Sequence, residues 1–488
     1  MIAATGSQQI ARFVSKPDAE LIVDEKLYDL CREFGADSLA ALSVLIGHEL
    51  THFYGRHTEW AGFGQLPGQQ KPSAAQAEKI AVLEAQADMQ GGYRAFLAGY
   101  DIYRLIRPLY TKIYAAYQLP DTMPGYPTRE NRIQYLEQQA INTRKLGMAF
   151  EAGLFFFLRK KYDLAERYFG LVADNIPSKE VLNNIGLCQL LRASQAMTLP
   201  EMPFRYPFEL ETSNRLAPDG HRGNEVDKAD LLKQAISYFR QAIELDETYS
   251  AAYINLASAS SLLGRNGTAK ETIDQLEEIL KSHQDTLPAN AHLVRAIALA
   301  EQGQDKAAVQ ELKLAGVAHE IEYNREAMQN FSRLSTLPAQ QAWSEWSALT
   351  RRHQRPERGN LNFKEKHTGS VGLPLPAKIN FTDQLAIPEP HQLRIQSSRS
   401  AGEVISTYYL VRSDTTYEVI RSLPGAPVQT AKGVRSGDSL EQLTSHYGPP
   451  QRIVPTGNGN FFYCYDAAQL FVCVQNRRID YWLIHTIR

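Results

Sequence analysis

Apolar positions at three- and four-residue intervals predict a helix over residues 37–57. Leu39, Leu42, Leu45 and Ile46 share one face there, and Asp37 or Ser38 can cap the start. A second helix is expected over 74–97, a stretch rich in Ala, Glu and Gln, all good helix formers. Ahead of both, residues 19–23 are short and partly β-branched and read as an edge strand. From 145 to about 329 the pattern is helix after helix. Past about 376 the period changes, with strand-like stretches at 404–411, 417–420, 461–465, 470–474 and 479–484. A short helix at 439–447 stops at Gly448, followed by Pro449 and Pro450.

A long run of helices calls for a repeat search. Gly153, Ala165, Phe169 and Pro177 fall at the small-residue, AxxxF and terminal-proline spacings of a tetratricopeptide repeat. Ala235 and Phe239, then Ala257, mark a second copy; Ala269 stands 34 positions after Ala235 and opens the equivalent helix of the next. Ala308 and Leu312 give a weaker one. Three or four repeats are expected, interrupted by a Pro-rich, aromatic insertion over 199–224. The stretch 331–375, rich in Pro, Gly, Arg and Gln, reads as a linker with a helix-like fragment around Trp343 and Trp346. The expected organisation is mainly α, in 488 residues: an α+β domain at 1–140, a helical repeat solenoid at 145–330, the linker, and a small α+β domain at 376–488.

With 43% hydrophobic and 22% charged residues the composition is that of a folded chain, and a net charge of -2 gives no reason to expect nucleic acid as the main partner. No run approaches the 18 or so apolar residues of a membrane-spanning helix. Cys31, Cys188, Cys464 and Cys473 are scattered and read as buried thiols, although the last two could pair across neighbouring strands. No secretory leader is visible, so a cytoplasmic location is expected unless a leader has been removed.

The chemistry is concentrated in His48-Glu49-Leu50-Thr51-His52. Histidines four apart on a helix project from one face and can bind a single ion, while the glutamate between them can act as general base on a water at that ion. A catalytic zinc site usually has three protein ligands. Glu84 is the candidate third; Asp88, one turn on, is then placed to accept the other ring N–H of one histidine and fix its tautomer.

These segments resemble a family. Residues 47–57 are similar to the HExxHxxxxH of the gluzincin metallopeptidases that include HtpX, the CAAX prenyl protease and the BepA-like proteases. Glu84-Ala85-Gln86-Ala87-Asp88 resembles their ExxAD, and Tyr126-Pro127-Thr128-Arg129-Glu130-Asn131-Arg132-Ile133 resembles the HPxxxxRI that closes their catalytic domain. The resemblance implies a zincin-type domain holding one Zn²⁺ per chain, with His48, His52 and Glu84 as ligands, Glu49 as the base and Asp88 behind the ligands. Tyr126 stands where the family has histidine, which puts the family's histidine latch in doubt. Tyr126, Arg132 and His57 are candidates for a transition-state or gating role, and the bland reading of His57, a cap near its helix end, is preferred to ligation. The neighbouring repeats point to the soluble, BepA-like branch. Gly433 to Gly437, Tyr447-Gly448-Pro449-Pro450 and Tyr463 to Tyr465 resemble small BamE-like envelope domains in outline, which leans the location towards a bacterial envelope or periplasm.

The expected function is therefore hydrolysis of internal peptide bonds in protein substrates, with the repeats binding clients or partners in bacterial protein quality control. The alternative is a chaperone or assembly scaffold whose zinc site is latched or structural.

Overall fold

The computed structural model describes residues 2–4, 9–14, 20–54, 63–65, 73–97, 100, 102, 105–122, 127–175, 177–198, 201–210, 227–316, 319–352, 383–387, 393–399, 405–411, 416–422, 428–456 and 460–487. The chain divides into two compact units, Met1–Lys145 and Leu146–Arg488.

In the first unit β1 (Ile2–Ala4), β2 (Gln9–Val14), β3 (Glu20–Asp24) and β4 (Phe63–Gln65) form a sheet in the order β1-β3-β2-β4, with β1 parallel to β3 and the other pairs antiparallel. The strand expected at the edge is thus β3, an interior strand: Val23 faces Ala3 on one side and Ala11 on the other. Directly after it, α1 (Glu25–Arg32) begins at Asp24, whose carboxylate accepts from the Lys26 backbone N–H at 3.2 Å. Glu25 in the first turn and Arg32 in the last complement the helix dipole. α2 (Ser38–Tyr54), α3 (Ala74–Leu97) and α4 (Ile106–Ala116) follow. Ile106, Leu109, Tyr110 and Ile113 recur at helical spacing, so α4 buries one stripe in a core with Ile10, Val23, Leu27, Leu42 and Leu45. α5 (Arg129–Leu158) contributes Ile133 and Leu136 to that core.

The second unit holds α6 (Tyr162–Ala173), α7 (Lys179–Gln195), α8 (Lys228–Leu245), α9 (Ser250–Leu262), α10 (Asn266–Ser282), α11 (Ala289–Glu301), α12 (Asp305–Leu314), α13 (His319–Leu334) and α14 (Ala339–Arg352). Their pairing explains the repeat spacings. A Cβ at Gly153 would lie 2.6 Å from the Phe169 ring, and one at Gly186 would lie 2.8 Å from the Phe239 ring. Each AxxxF phenylalanine therefore fills the space that a glycine leaves open on the helix before it. Counting the end of α5 with α6, the described residues form five helix pairs, one more than the upper expectation. The extra pair joins α13, at the end of the expected repeat region, to α14, which lies where a linker was expected from residue 331. Ala342, Trp346 and Leu349, at helical spacing, bury one face of α14 against Leu334 and its neighbours, which a linker would leave in water. Residues 353–382 lie outside the described residues.

Beyond them β5 (Asp383–Ile387), β6 (Leu393–Arg399), β7 (Ile405–Val411), β8 (Thr416–Ser422), α15 (Leu440–Tyr447), β9 (Arg452–Pro455), β10 (Phe461–Tyr465), β11 (Leu470–Gln475) and β12 (Arg478–Ile487) build one antiparallel sheet in the order β5-β6-β7-β8-β12-β11-β10-β9. Along β8, β10, β11 and β12 the described side chains alternate between two apolar faces. Tyr417, Val419, Phe471, Cys473 and Leu483 join the core around Phe155 and Phe156, while Ile420, Val472, Val474, Trp482 and Ile484 pack beneath α15 with Leu443 and Tyr447. The repeats and the C-terminal sheet, expected as separate domains, thus share a hydrophobic core. Cys464 and Cys473 are free and buried. Among the described residues no helix is long and apolar enough to cross a membrane.

Candidate functional site

α2 presents His48, Glu49 and His52, and α3 presents Glu84 and Asp88; all five are at most 4% exposed. The two helices meet at their backbones. A Cβ built on Gly47 would lie 2.3 Å from Gly91 O, and one on Gly91 would lie 2.4 Å from His48 N. No residue but glycine fits at either position, and that close approach brings Asp88 and Glu84, about one and two turns before Gly91, within reach of the histidines.

His48 Nε2 lies 3.0 Å from His52 Nε2 and 3.4 Å from Glu84 Oε2, and His52 Nε2 lies 3.4 Å from Glu84 Oε1. The rings cross edge to face, with centroids 4.7 Å apart. Among the described residues His48, His52 and Glu84 are the group of three or more such side chains whose ligand atoms converge, all within 4.8 Å of one another. Two donors held at about 2.0–2.1 Å by one tetrahedral ion lie roughly 3.3–3.4 Å apart. Both His–Glu distances fit that value, and the His–His distance is slightly shorter. Neither Glu84 oxygen accepts a hydrogen bond, although the residue is fully buried. A buried carboxylate in that state costs several kcal/mol unless a cation meets it. The donor set therefore fits a metal ion.

Behind the histidines stands a second layer. His48 Nδ1 lies 2.9 Å from Asp88 Oδ1, so a proton on Nδ1 is held by that carboxylate while Nε2 faces His52 and Glu84. Asp88 is itself held three times over: Tyr110 OH donates to Oδ1 at 2.8 Å, and Arg132 donates from Nε to Oδ2 at 2.6 Å and from Nη2 to Oδ1 at 2.7 Å. Burial would raise the Asp88 carboxyl, but the Arg132 guanidinium beside it holds it far below the usual carboxylate range. Burial would also raise Glu84; the two imidazoles bring it down to about 2. For His48, burial pushes the imidazolium down, and Asp88 and Glu84 outweigh it, holding the group up at about 10. His52 stays below its ordinary value because burial dominates there.

The structure thus brings together His48, His52, Glu84, Asp88 and Arg132, and Glu49 is buried beside His48 on α2. Arg132, expected in a transition-state or gating role, binds Asp88 through two N–H groups and reaches Glu84 Oε2 only at 3.8 Å. His57 and Tyr126 lie outside the described residues. Sequence reasoning missed Tyr110, which nothing in its own segment marks. It also missed the Gly47–Gly91 crossing, for which the Gly91-Gly92 pair inside a predicted helix is a signal. No curated protein matches the chain. Residues 221–335 match the family described as Tetratrico peptide repeat, so the helix pairs around α8 to α13 are repeats of that type.

Proposed function

We propose that residues 1–140 form a zincin-type metallopeptidase domain and that the protein is a zinc-dependent endopeptidase acting on protein substrates. The observation that carries this reading is the meeting of His48 Nε2, His52 Nε2 and Glu84 around one point, with Asp88 orienting His48 from behind. The resemblance to the HtpX, prenyl-protease and BepA-like metallopeptidases supports the same assignment. His48, His52 and Glu84 would hold one zinc ion per chain. Zinc bound there supplies a Lewis acid and brings the pKa of water to near neutrality. Glu49, next to His48 on α2, takes a proton from the attacking water and returns it to the leaving amine. Asp88 keeps the His48 ring in one tautomer, and Tyr110 and Arg132 keep Asp88 ionised and in place. The tetratricopeptide-type repeats bind protein clients or partners, as extended helical arrays do.

A second reading has one observation in its favour. Every member of the cluster is buried, as a latched or structural zinc site would be, which suits a chaperone or assembly scaffold. Glu49→Gln separates the two. It keeps side-chain size and all three ligands, so zinc should remain bound while turnover of a casein-type substrate falls by about 10²–10⁴. If the variant cleaves as fast as the wild type, the peptidase assignment is wrong; if neither cleaves and the variant still complements a deletion strain, the scaffold reading replaces it.

A further inference from the structure

Residues 201–210, Glu-Met-Pro-Phe-Arg-Tyr-Pro-Phe-Glu-Leu, belong to the insertion between α7 and α8 and run without helix or strand pairing apart from a single bridge at Leu210. Their backbone is gripped by asparagines from three different helix pairs. Asn324 on α13 accepts from the Arg205 N–H and donates to the Arg205 carbonyl, both at 2.8 Å. Asn255 on α9 does the same to Glu209, accepting at 2.9 Å and donating at 2.8 Å, and Asn183 on α7 adds a bond of 3.0 Å to the same carbonyl. Asn255 and Asn183 also bond to each other at 2.9 Å, so neither is free to turn away. All three are fully buried.

An amide that pairs with both the N–H and the C=O of one residue reads the extended backbone and ignores the side chain, as an edge strand does. Selectivity lies in the pockets between. Phe204 packs against Phe331 with ring centroids 5.1 Å apart, Tyr206 donates to or accepts from Ser261 Oγ at 3.0 Å, and Arg205 stacks over Tyr323 at 4.1 Å. Tyr323 OH donates to the Pro203 carbonyl, and Asn290 donates to the Glu209 carboxylate. The segment is buried without secondary-structure partners of its own, so its main-chain groups must be paired, and asparagines on α7, α9 and α13 supply those bonds without reading its side chains.

We propose that this face of the repeats is a binding site for an extended segment of a protein partner, with aromatic residues at alternate positions and an acidic residue after the last, and that residues 201–210 are its built-in competitor. The inference stands on the repeats alone and holds whether or not the metal cluster hydrolyses anything. A tethered segment competes at an effective concentration on the order of mM, so a free peptide of equal intrinsic affinity is weakened until the tethered one lets go.

The probe is a fluorescein-labelled synthetic peptide with the sequence of residues 201–210, titrated against the full chain. In the Phe204→Ser/Tyr206→Ser variant the tethered segment loses its anchors while the groove is untouched. Labelled peptide should bind this variant about 10–100-fold more tightly than the wild type, and adding Asn255→Ala should abolish the gain. A variant that keeps wild-type helicity and melting but binds no better than the wild type overturns the proposal. Should the variant fail to fold, amide exchange on the wild type decides. Unlabelled peptide in mM excess should speed exchange at Arg205 and Glu209, and unchanged protection of both overturns it.

Discussion

Gly91→Ala tests whether the α2–α3 approach builds the His48–His52–Glu84 cluster and the metal site proposed there. The added methyl would sit 2.4 Å from His48 N and 2.6 Å from Gly47 C. Ordinary contacts between such atoms are about 3.5 Å, so the helices must part by roughly 1 Å. Overpacking of this kind costs about 1–3 kcal/mol, and the better helix propensity of alanine offsets about 1 kcal/mol of it. The net loss of roughly 0–2 kcal/mol leaves the unit folded. The site is more sensitive. A shift of roughly 1 Å stretches the His48–Asp88 bond from 2.9 Å beyond hydrogen-bond range and carries Glu84 away from both imidazoles. Loss of such an orienting bond costs about 10–100-fold in metal affinity. Competition against a chromophoric zinc chelator reads that number directly, with thermal melting alongside. Gly92→Ala is the control, because its methyl meets only the flexible ends of Leu136 and Ile102, at 2.9 and 3.3 Å. If Gly91→Ala binds zinc as tightly as the wild type, the close helix crossing does not set the ligand geometry.

Asp88→Asn should lower zinc affinity about 10–100-fold, and Glu84→Ala should empty the site, both read by metal analysis after dialysis. Trp346→Ala should lower the unfolding midpoint, at a cost of about 3–5 kcal/mol, because the ring is buried between the last helix pair; a linker tryptophan would be neutral. His485 lies between Phe155 and Phe471, neither ring nitrogen has a hydrogen-bond partner, and burial, helped by the Arg159 charge, lowers its pKa to about 3. Its folded value is below the unfolded one, so the contribution is complete above about pH 6.5 and is lost as pH falls towards 3, by about 2 kcal/mol at pH 5. Denaturant melts of His485→Phe should be flatter than wild type over that range.

What local pattern encodes was legible, and what distant pairing decides was not. α3 falls on the residues expected, and β10 coincides with the stretch 461–465, since helix formers and alternating aromatics declare themselves within a few positions. β5 and β6 were not anticipated: the polar run of Leu393–Arg399 becomes a strand through pairing on both sides. β3 was placed but assigned to the edge, because its partner β1 is only three residues long and lies in a separate segment. The arginine and glutamine content around α14 hid an apolar stripe of three residues. The candidate residues that converge, His48, His52 and Glu84, were readable from two helical spacings, whereas Asn183, Asn255 and Asn324 each look like ordinary polar helix positions until one segment is seen to join them.

The buried cluster also restricts the ion it can take. Glu84 and Asp88 are held ionised and Arg132 is cationic, so with neutral histidines two negative charges against one positive leave -1. In the proposed reaction Glu49 would act as an ionised base, and counting it the sum is -2. Such a charge, out of water on all sides, is destabilising by several kcal/mol. A proton on His48 offsets only half of it. A divalent cation offsets all of it and at the same time occupies both Nε2 lone pairs, which no proton shared between them can do. Mg²⁺ and Ca²⁺ match the charge but prefer six or more oxygen ligands, where this site supplies two imidazoles and one carboxylate. Under the proposed metal-binding reading, charge and ligand type together would favour a transition-series dication of low coordination number, for which zinc is the ordinary choice.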